Sequence, residues 1–258
     1  MKNRFYLIFV LAMFCLIACD QEKVGTTDKG NNMGGNNSTH GGGKSDGELV
    51  YSYYLDEEEY EMIYVEGSGD ICSFYIMQTE MLVDKQCYFG NANVGRLDMN
   101  NDGYVIKAEF KDFIEKLREG TGLDFRLPTA EEWIYAAKGG IYSKGYLYSG
   151  SDDISEVAWY KNNSSGGVHR IATKKPNELG IYDMSGNRGE LCLNPNDIYD
   201  IEGRIYGGSW EDFSHGCKPG SWKESNKSTA KVEGEDFLRH LNLFEPDIIT
   251  VRLMYPVY

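Results

Sequence analysis

The chain is poor in the residues from which common catalytic engines are built. Its four histidines, His40, His169, His215 and His240, stand at no metal-ligand spacing. It has no Gly-x-Ser-x-Gly elbow, no phosphate-binding glycine loop and no His-Glu-x-x-His helix, which sets aside the hydrolases, nucleotide-binding folds and metalloproteases that need them. His215 lies two residues before Cys217, but sequence neighbours seldom adopt the geometry of a catalytic Cys–His pair. Positive charge is also scarce. Lys and Arg number 26 against 40 Asp and Glu, a formal net charge of −14. Phosphate backbones and anionic lipid surfaces repel such a chain, so nucleic acid is not an expected partner. Long apolar runs are missing too. The run from Phe5 to Ala18 is too short to span a bilayer comfortably.

That run, preceded by Lys2 and Arg4, reads as an export signal over residues 1–18. Leu16-Ile17-Ala18-Cys19 looks like a bacterial lipobox, which predicts cleavage before Cys19 and acylation of its thiol. Loss of Lys2 and Arg4 would take the side-chain charge from −14 to −16. The expected location is the bacterial cell envelope, at the outer membrane or cell surface, with the lipid anchor as the membrane contact. Asp20 to Gly47 is rich in Gly, Asn, Ser and Thr and carries almost nothing apolar. Together with Cys19 it makes a flexible linker over 19–47, with a coil reach of about 30 Å. A folded domain is expected over 48–258.

Within it, Met62 to Glu66 and Phe74 to Ile76 are short β-prone runs. Lys107 to Glu119 is an amphipathic helix, with Phe110, Phe113, Ile114 and Leu117 at i, i+3, i+4 and i+7 and Gly120 as its stop. Thr129 followed three residues later by Glu132 is a capping box, in which each side chain satisfies a backbone N–H of the first turn. Trp133, Ala136 and Ala137 share one face of the helix so begun, and Gly139-Gly140 ends it. From Tyr142 onward Gly, Ser, Asn and Asp predict few regular elements.

Asp98 to Glu109, DMNNDGYVIKAE, fits the EF-type loop D-x-[DN]-x-[DN]-G-x5-E at every fixed position. Calcium would take oxygens from Asp98, Asn100, Asp102, the Tyr104 carbonyl and a bidentate Glu109, with Gly103 making the sharp turn. Ile106 at the ninth position leaves that ligand to water. The entering segment, Gly90 to Leu97, is a poor helix, so the loop resembles a lone extracellular calcium loop more than a paired hand. The plain alternative is a polar turn that caps the helix.

Phe125 to Gly140, FRLPTAEEWIYAAKGG, resembles the signature helix of the formylglycine-generating enzyme (sulfatase-modifying factor) family. Three further stretches match that family in order: Lys174 to Asn187 (KKPNELGIYDMSGN), Gly207 to Trp210 (GGSW) and Val251 to Leu253 (VRL). The resemblance runs from roughly Met62 to Leu253. It implies an α+β, irregular, loop-rich fold of the C-type-lectin-like kind with few helices. In the enzyme, two cysteines after the Gly-Gly-Ser segment hold copper, as soft thiolates select Cu(I). Here Asp212 falls at the first position and Cys217 at the second. One thiolate does not make a two-thiolate site, so the departure from the family pattern implies loss of the oxidase and a domain kept for ligand binding or presentation. The alternative is a variant oxidase acting with copper on an exported substrate through Cys217. Asn187 and Glu190 match positions near a structural calcium in the family. Cys192 and Cys217 lie on segments that the fold brings together and could form a disulfide or remain buried thiols; Cys72 and Cys87 could pair likewise. The substrate-groove part of the enzyme corresponds to Trp210 to Glu245, which makes Trp210 and Trp222 the expected anchors for an envelope or extracellular ligand.

Overall fold

Alternation along the strands decides which residues of the chain meet. The computed structural model describes residues 50–55, 57–82, 86–90, 92–95, 107–194, 197–224 and 249–258. The signal, Cys19, the linker and residues 98–106 of the calcium loop lie outside them, as do residues 225–248.

Strands β1 (Ser52–Leu55), β2 (Glu58–Val65), β3 (Phe74–Met77), β4 (Cys87–Phe89) and β5 (Ala92–Gly95) join the C-terminal β10 (Met254–Pro256) in a six-stranded sheet. Its order is β10-β3-β2-β1-β4-β5, antiparallel throughout. Ile63 pairs with Ile76 and Val65 with Phe74, while Met62 pairs with Met77. Successive residues point to opposite faces, so this register sends the two sets into different cores. Val65, Phe74, Ile76 and Met254 pack against Trp133, Ala136 and Ala137 of α2 (Ala130–Ala137). Met62, Met77, Tyr53 and Phe89 pack against Phe110, Phe113, Ile114 and Leu117 of α1 (Lys107–Thr121).

Both helices lie where the sequence places them. α1 runs one residue past Gly120, and Gly122, at φ 71°, ends it instead. In α2 the capping box is formed in both directions, and Arg126 holds the capping Glu132 with two bonds of 2.7 Å each. Between Tyr142 and Arg188 the chain has little beyond the single turn α3 (Ile154–Val157), as the composition leads one to expect.

After Arg188 that expectation fails. β6 (Gly189–Asn194), β7 (Asp197–Tyr206), β8 (Trp222–Glu224) and β9 (Ile249–Val251) form a second sheet in the order β8-β7-β6-β9. β6 and β9 run parallel, with Leu191 opposite Val251. Such a pairing joins residues far apart in sequence, so the local pattern carries no trace of it. Arg252 and Leu253 are the whole link between β9 in one sheet and β10 in the other.

Candidate functional site

A buried polar frame underlies the region where the family resemblance places chemistry. Arg252 is fully buried at the crossover between the sheets. Its Nε and Nη2 donate to Glu190 on β6, the shortest contact being 2.6 Å, and its Nη1 and Nη2 donate to the carbonyls of Met77 and Tyr182, each at 2.9 Å. Trp133 Nε1 of α2 donates to the same Glu190 carboxylate at 2.7 Å. Arg252 and Glu190 together therefore tie both sheets and the signature helix.

Beside it, the tight turn Asp183 to Asn187 passes under Trp159. A Cβ on Gly186 (φ 75°) would lie 2.2 Å from the Trp159 carbonyl oxygen, so only glycine fits there. Asn187, also left-handed at φ 57°, donates through Nδ2 to Glu80 Oε1 (2.7 Å) and accepts the His169 N–H at 2.9 Å. Arg188 donates to the same Glu80 oxygen at 2.6 Å. Burial pushes Glu80 up to about 8 despite Arg188, with the charges of Asp183 and Glu190 adding to the rise. Burial likewise raises Asp183 to about 6, against the Ala172 N–H it accepts. Glu80 Oε2 and Asp183 Oδ1 have no hydrogen-bond partner.

These contacts correct the pairing of Asn187 with Glu190 around calcium. Glu190 offers its two oxygens to a guanidinium and an indole, and Asn187 faces Glu80 and the His169 backbone. Their donors do not converge on a cation. Among the described residues no group of three His, Cys, Asp or Glu side chains does so. Sequence reading missed Glu80 and the role of Arg252. The available signal was an acid and a cation set in apolar surroundings, at Thr79-Glu80-Met81 and Val251-Arg252-Leu253.

The segment aligned with the copper site begins at Gly207 and Gly208, both with positive φ. A Cβ on Gly208 would sit 2.8 Å from the Gly216 carbonyl oxygen, so this glycine lets the Ser209 turn close onto the 3₁₀ turn Ser214–Cys217. Asp212 Oδ2 accepts from the Ser209 N–H (2.8 Å), the Ser209 hydroxyl (2.7 Å) and Lys223 Nζ (2.7 Å). Burial alone would raise this carboxyl, but the bonds from Lys223 and Ser209 outweigh it and hold it below its usual range. Cys217 is fully buried, and burial, assisted by the Asp212 charge, pushes its thiol up to about 12. The pair is thus a carboxylate held by Ser209 and Lys223 beside a protonated thiol, and it does not fit the two-thiolate copper site that the resemblance implies.

The expected Cys192–Cys217 disulfide is corrected as well. Each is a thiol. Cys192 packs with Trp133 and Tyr206, whereas Cys217 packs with Tyr148 and Val157 in a separate apolar cluster. Cys72 and Cys87 are thiols too.

Of the two expected anchors, Trp222 is on the surface. It is 47% exposed, with the Arg204 guanidinium 4.3 Å over its ring. Trp210 is half-buried, and its backbone is tied to Asn187 and Ser164. Phe213, which the sequence did not mark, is exposed and lies 4.5 Å beneath Lys161 Nζ, with His215 stacked on it. Lys223, one residue beyond Trp222, makes the ion pair with Asp212. The remainder of the expected groove, residues 225–245, lies outside the described residues. Asp98, Asn100, Asp102 and Tyr104 do as well, and Glu109 falls in the first turn of α1 with its side chain also outside the description.

Known proteins place this arrangement. A Paenibacillus barcinonensis protein named chaperone protein LppX is 42% identical over 85 residues, 26% of this chain and 30% of that protein. The Bos taurus protein named inactive C-alpha-formylglycine-generating enzyme 2 is 28% identical over 102 residues, 35% of this chain and 34% of that one. The matches thus span about a third of the length of these relatives. Among solved structures, Treponema denticola variable protein 1 superposes with a TM-score of 0.55 at 19% identity, covering 80% of this chain and 98% of that one, which establishes the fold. The family described as sulfatase-modifying factor enzyme 1-like domain matches residues 71–245, more than half of the chain, and the chain belongs to it.

Proposed function

We propose that this chain is an envelope-anchored lipoprotein whose sulfatase-modifying-factor-like domain binds or presents a ligand and does not carry out copper oxidation. The single observation behind this reading is the state of the former metal pair. Asp212 is engaged by Ser209 and Lys223, and Cys217 is a buried, protonated thiol. Both groups stabilise the turn they sit in. The bovine relative named as inactive agrees with this reading, and the relative named as a chaperone agrees with a protein ligand.

Ligand contact is assigned to the surface that carries Trp222 and Phe213, each covered by a cation, because aromatic side chains and arginine carry much of the energy of interfaces. Trp210, half-buried, is the second candidate anchor. Calcium at Asp98 to Glu109 completes the reading as a structural ion. Anchoring is assigned to Cys19, with the outer membrane or cell surface as the expected location.

The deciding experiment incubates the purified full chain with copper, oxygen and a sulfatase-type Cys-x-Pro-x-Arg peptide. No aldehyde is expected. Copper-dependent turnover that disappears in Cys217→Ser would establish the variant oxidase instead.

A further inference from the structure

The loop after α2 is built inside out. Ile141, Tyr142, Tyr146 and Leu147 lie within seven residues and are 46%, 61%, 37% and 53% exposed. Isolated exposed apolar side chains are ordinary, but a contiguous group marks an interaction surface. The backbone beneath them is firmly held. Gly139 enters at φ 91°, and the N–H groups of Tyr142 and Ser143 close a 3₁₀ turn onto the carbonyls of Gly139 and Gly140. Lys144 N–H donates to Glu178 at 2.9 Å, and Leu147 N–H donates to Asp152 at 2.8 Å. The loop's polar backbone is thus turned onto the domain by two carboxylates while its apolar side chains face out. A surface ordered in advance loses little further freedom on binding.

We propose that this loop seats on a zwitterionic phospholipid bilayer, with Ile141 and Leu147 reaching the acyl boundary and Tyr142 and Tyr146 at the level of the headgroups. The choice of a bilayer rests on the reading of Cys19 as the anchor. The coil reach of about 30 Å that the sequence predicts for Asp20 to Gly47 would keep the domain beside a membrane at high effective concentration. The chemistry agrees. Tyrosine rings favour the membrane interface, and the exposed lysines, Lys138 and Lys144, carry apolar stems that lie along it with the charge in water. Lys144 Nζ already rests 5.9 Å from the centre of the Tyr146 ring. The net charge of −14 selects a zwitterionic surface over an anionic one.

The test uses the chain from Asp20 to Tyr258, which lacks both the apolar run of residues 5–18 and the acylated Cys19, so that vesicle binding comes from neither of them. Sedimentation with phosphatidylcholine vesicles should show a bound fraction, reduced by mixing in phosphatidylglycerol. Ile141→Asp with Leu147→Asp should lower partitioning by at least about tenfold, since a carboxylate in place of an aliphatic group strongly opposes entry into lipid. These side chains are exposed, so the double variant should melt as the parent does. Emission from Tyr142→Trp should shift to the blue when vesicles are added. Absence of vesicle binding, or binding that the double variant leaves intact, overturns the proposal. A dimer in sedimentation velocity that the double variant abolishes also overturns it and assigns the loop to a second copy of the chain. Lipid labelling at Cys19, measured separately, distinguishes failure of the anchor from failure of the loop.

Discussion

Replacing Arg252 with methionine, which keeps much of the length but cannot donate, should remove a large part of the domain's stability. The guanidinium is fully buried and supplies donors to both Glu190 oxygens and to the carbonyls of Met77 and Tyr182. Methionine leaves the Glu190 carboxylate, 1% exposed, with Trp133 Nε1 in place of a countercharge. Removing one partner of a buried pair costs about 3–5 kcal/mol. Each buried carbonyl deprived of its donor would add about 1–3 kcal/mol, less whatever relaxation recovers. The first figure alone is a substantial share of the about 5–15 kcal/mol that holds a typical domain together. The double variant Arg252→Met, Glu190→Gln removes the stranded charge and keeps an acceptor for Trp133. It should therefore be more stable than Arg252→Met alone, with a coupling of about 1–3 kcal/mol. Urea unfolding followed by tryptophan fluorescence measures all four corners of the cycle. A loss below about 1 kcal/mol in Arg252→Met, or strict additivity in the double variant, would refute the assignment of Arg252 as the tie between the sheets.

Glu80 has a folded pKa near 8 against an ordinary value of 4.5; its stabilising contribution is therefore full below the ordinary value and lost as pH rises through 8, so the melting temperature should decline over that interval, and Glu80→Gln should flatten the decline. Calorimetric melts across pH check this; an unchanged slope in Glu80→Gln would count against it. Cys217, pushed up to about 12, should resist an aromatic disulfide reagent at pH 8 in the native state. Cys192 and Cys217 should both alkylate after denaturation without reductant, as peptide mass analysis can show; a linked pair of peptides would contradict the thiol assignment. Calcium at Asp98 to Glu109 should stabilise the chain by about 2.7 kcal/mol at 100 times Kd. Equal melting in calcium and chelator, or a shift kept in Glu109→Gln, would reduce the loop to a plain turn.

What the sequence could determine was whatever depends on neighbours within a few residues. The Thr129–Glu132 box and the four-residue apolar face of α1 are of this kind, because a helical turn brings its own partners together. The tertiary structure decided the rest. Glu190 finds its guanidinium 62 residues away, and Asn187 finds Glu80 at a separation of 107. No local spacing marks such pairs, so Glu190 read as a candidate calcium ligand until Arg252 was seen against it. Cys192 and Cys217 could be a bond on paper, and different apolar clusters hold them as thiols. The absence of a second copper cysteine was legible at Asp212. That its carboxylate closes a turn with Ser209 and Lys223 was not, since burial and the approach of a cation eleven residues on exist only once β8 pairs with β7.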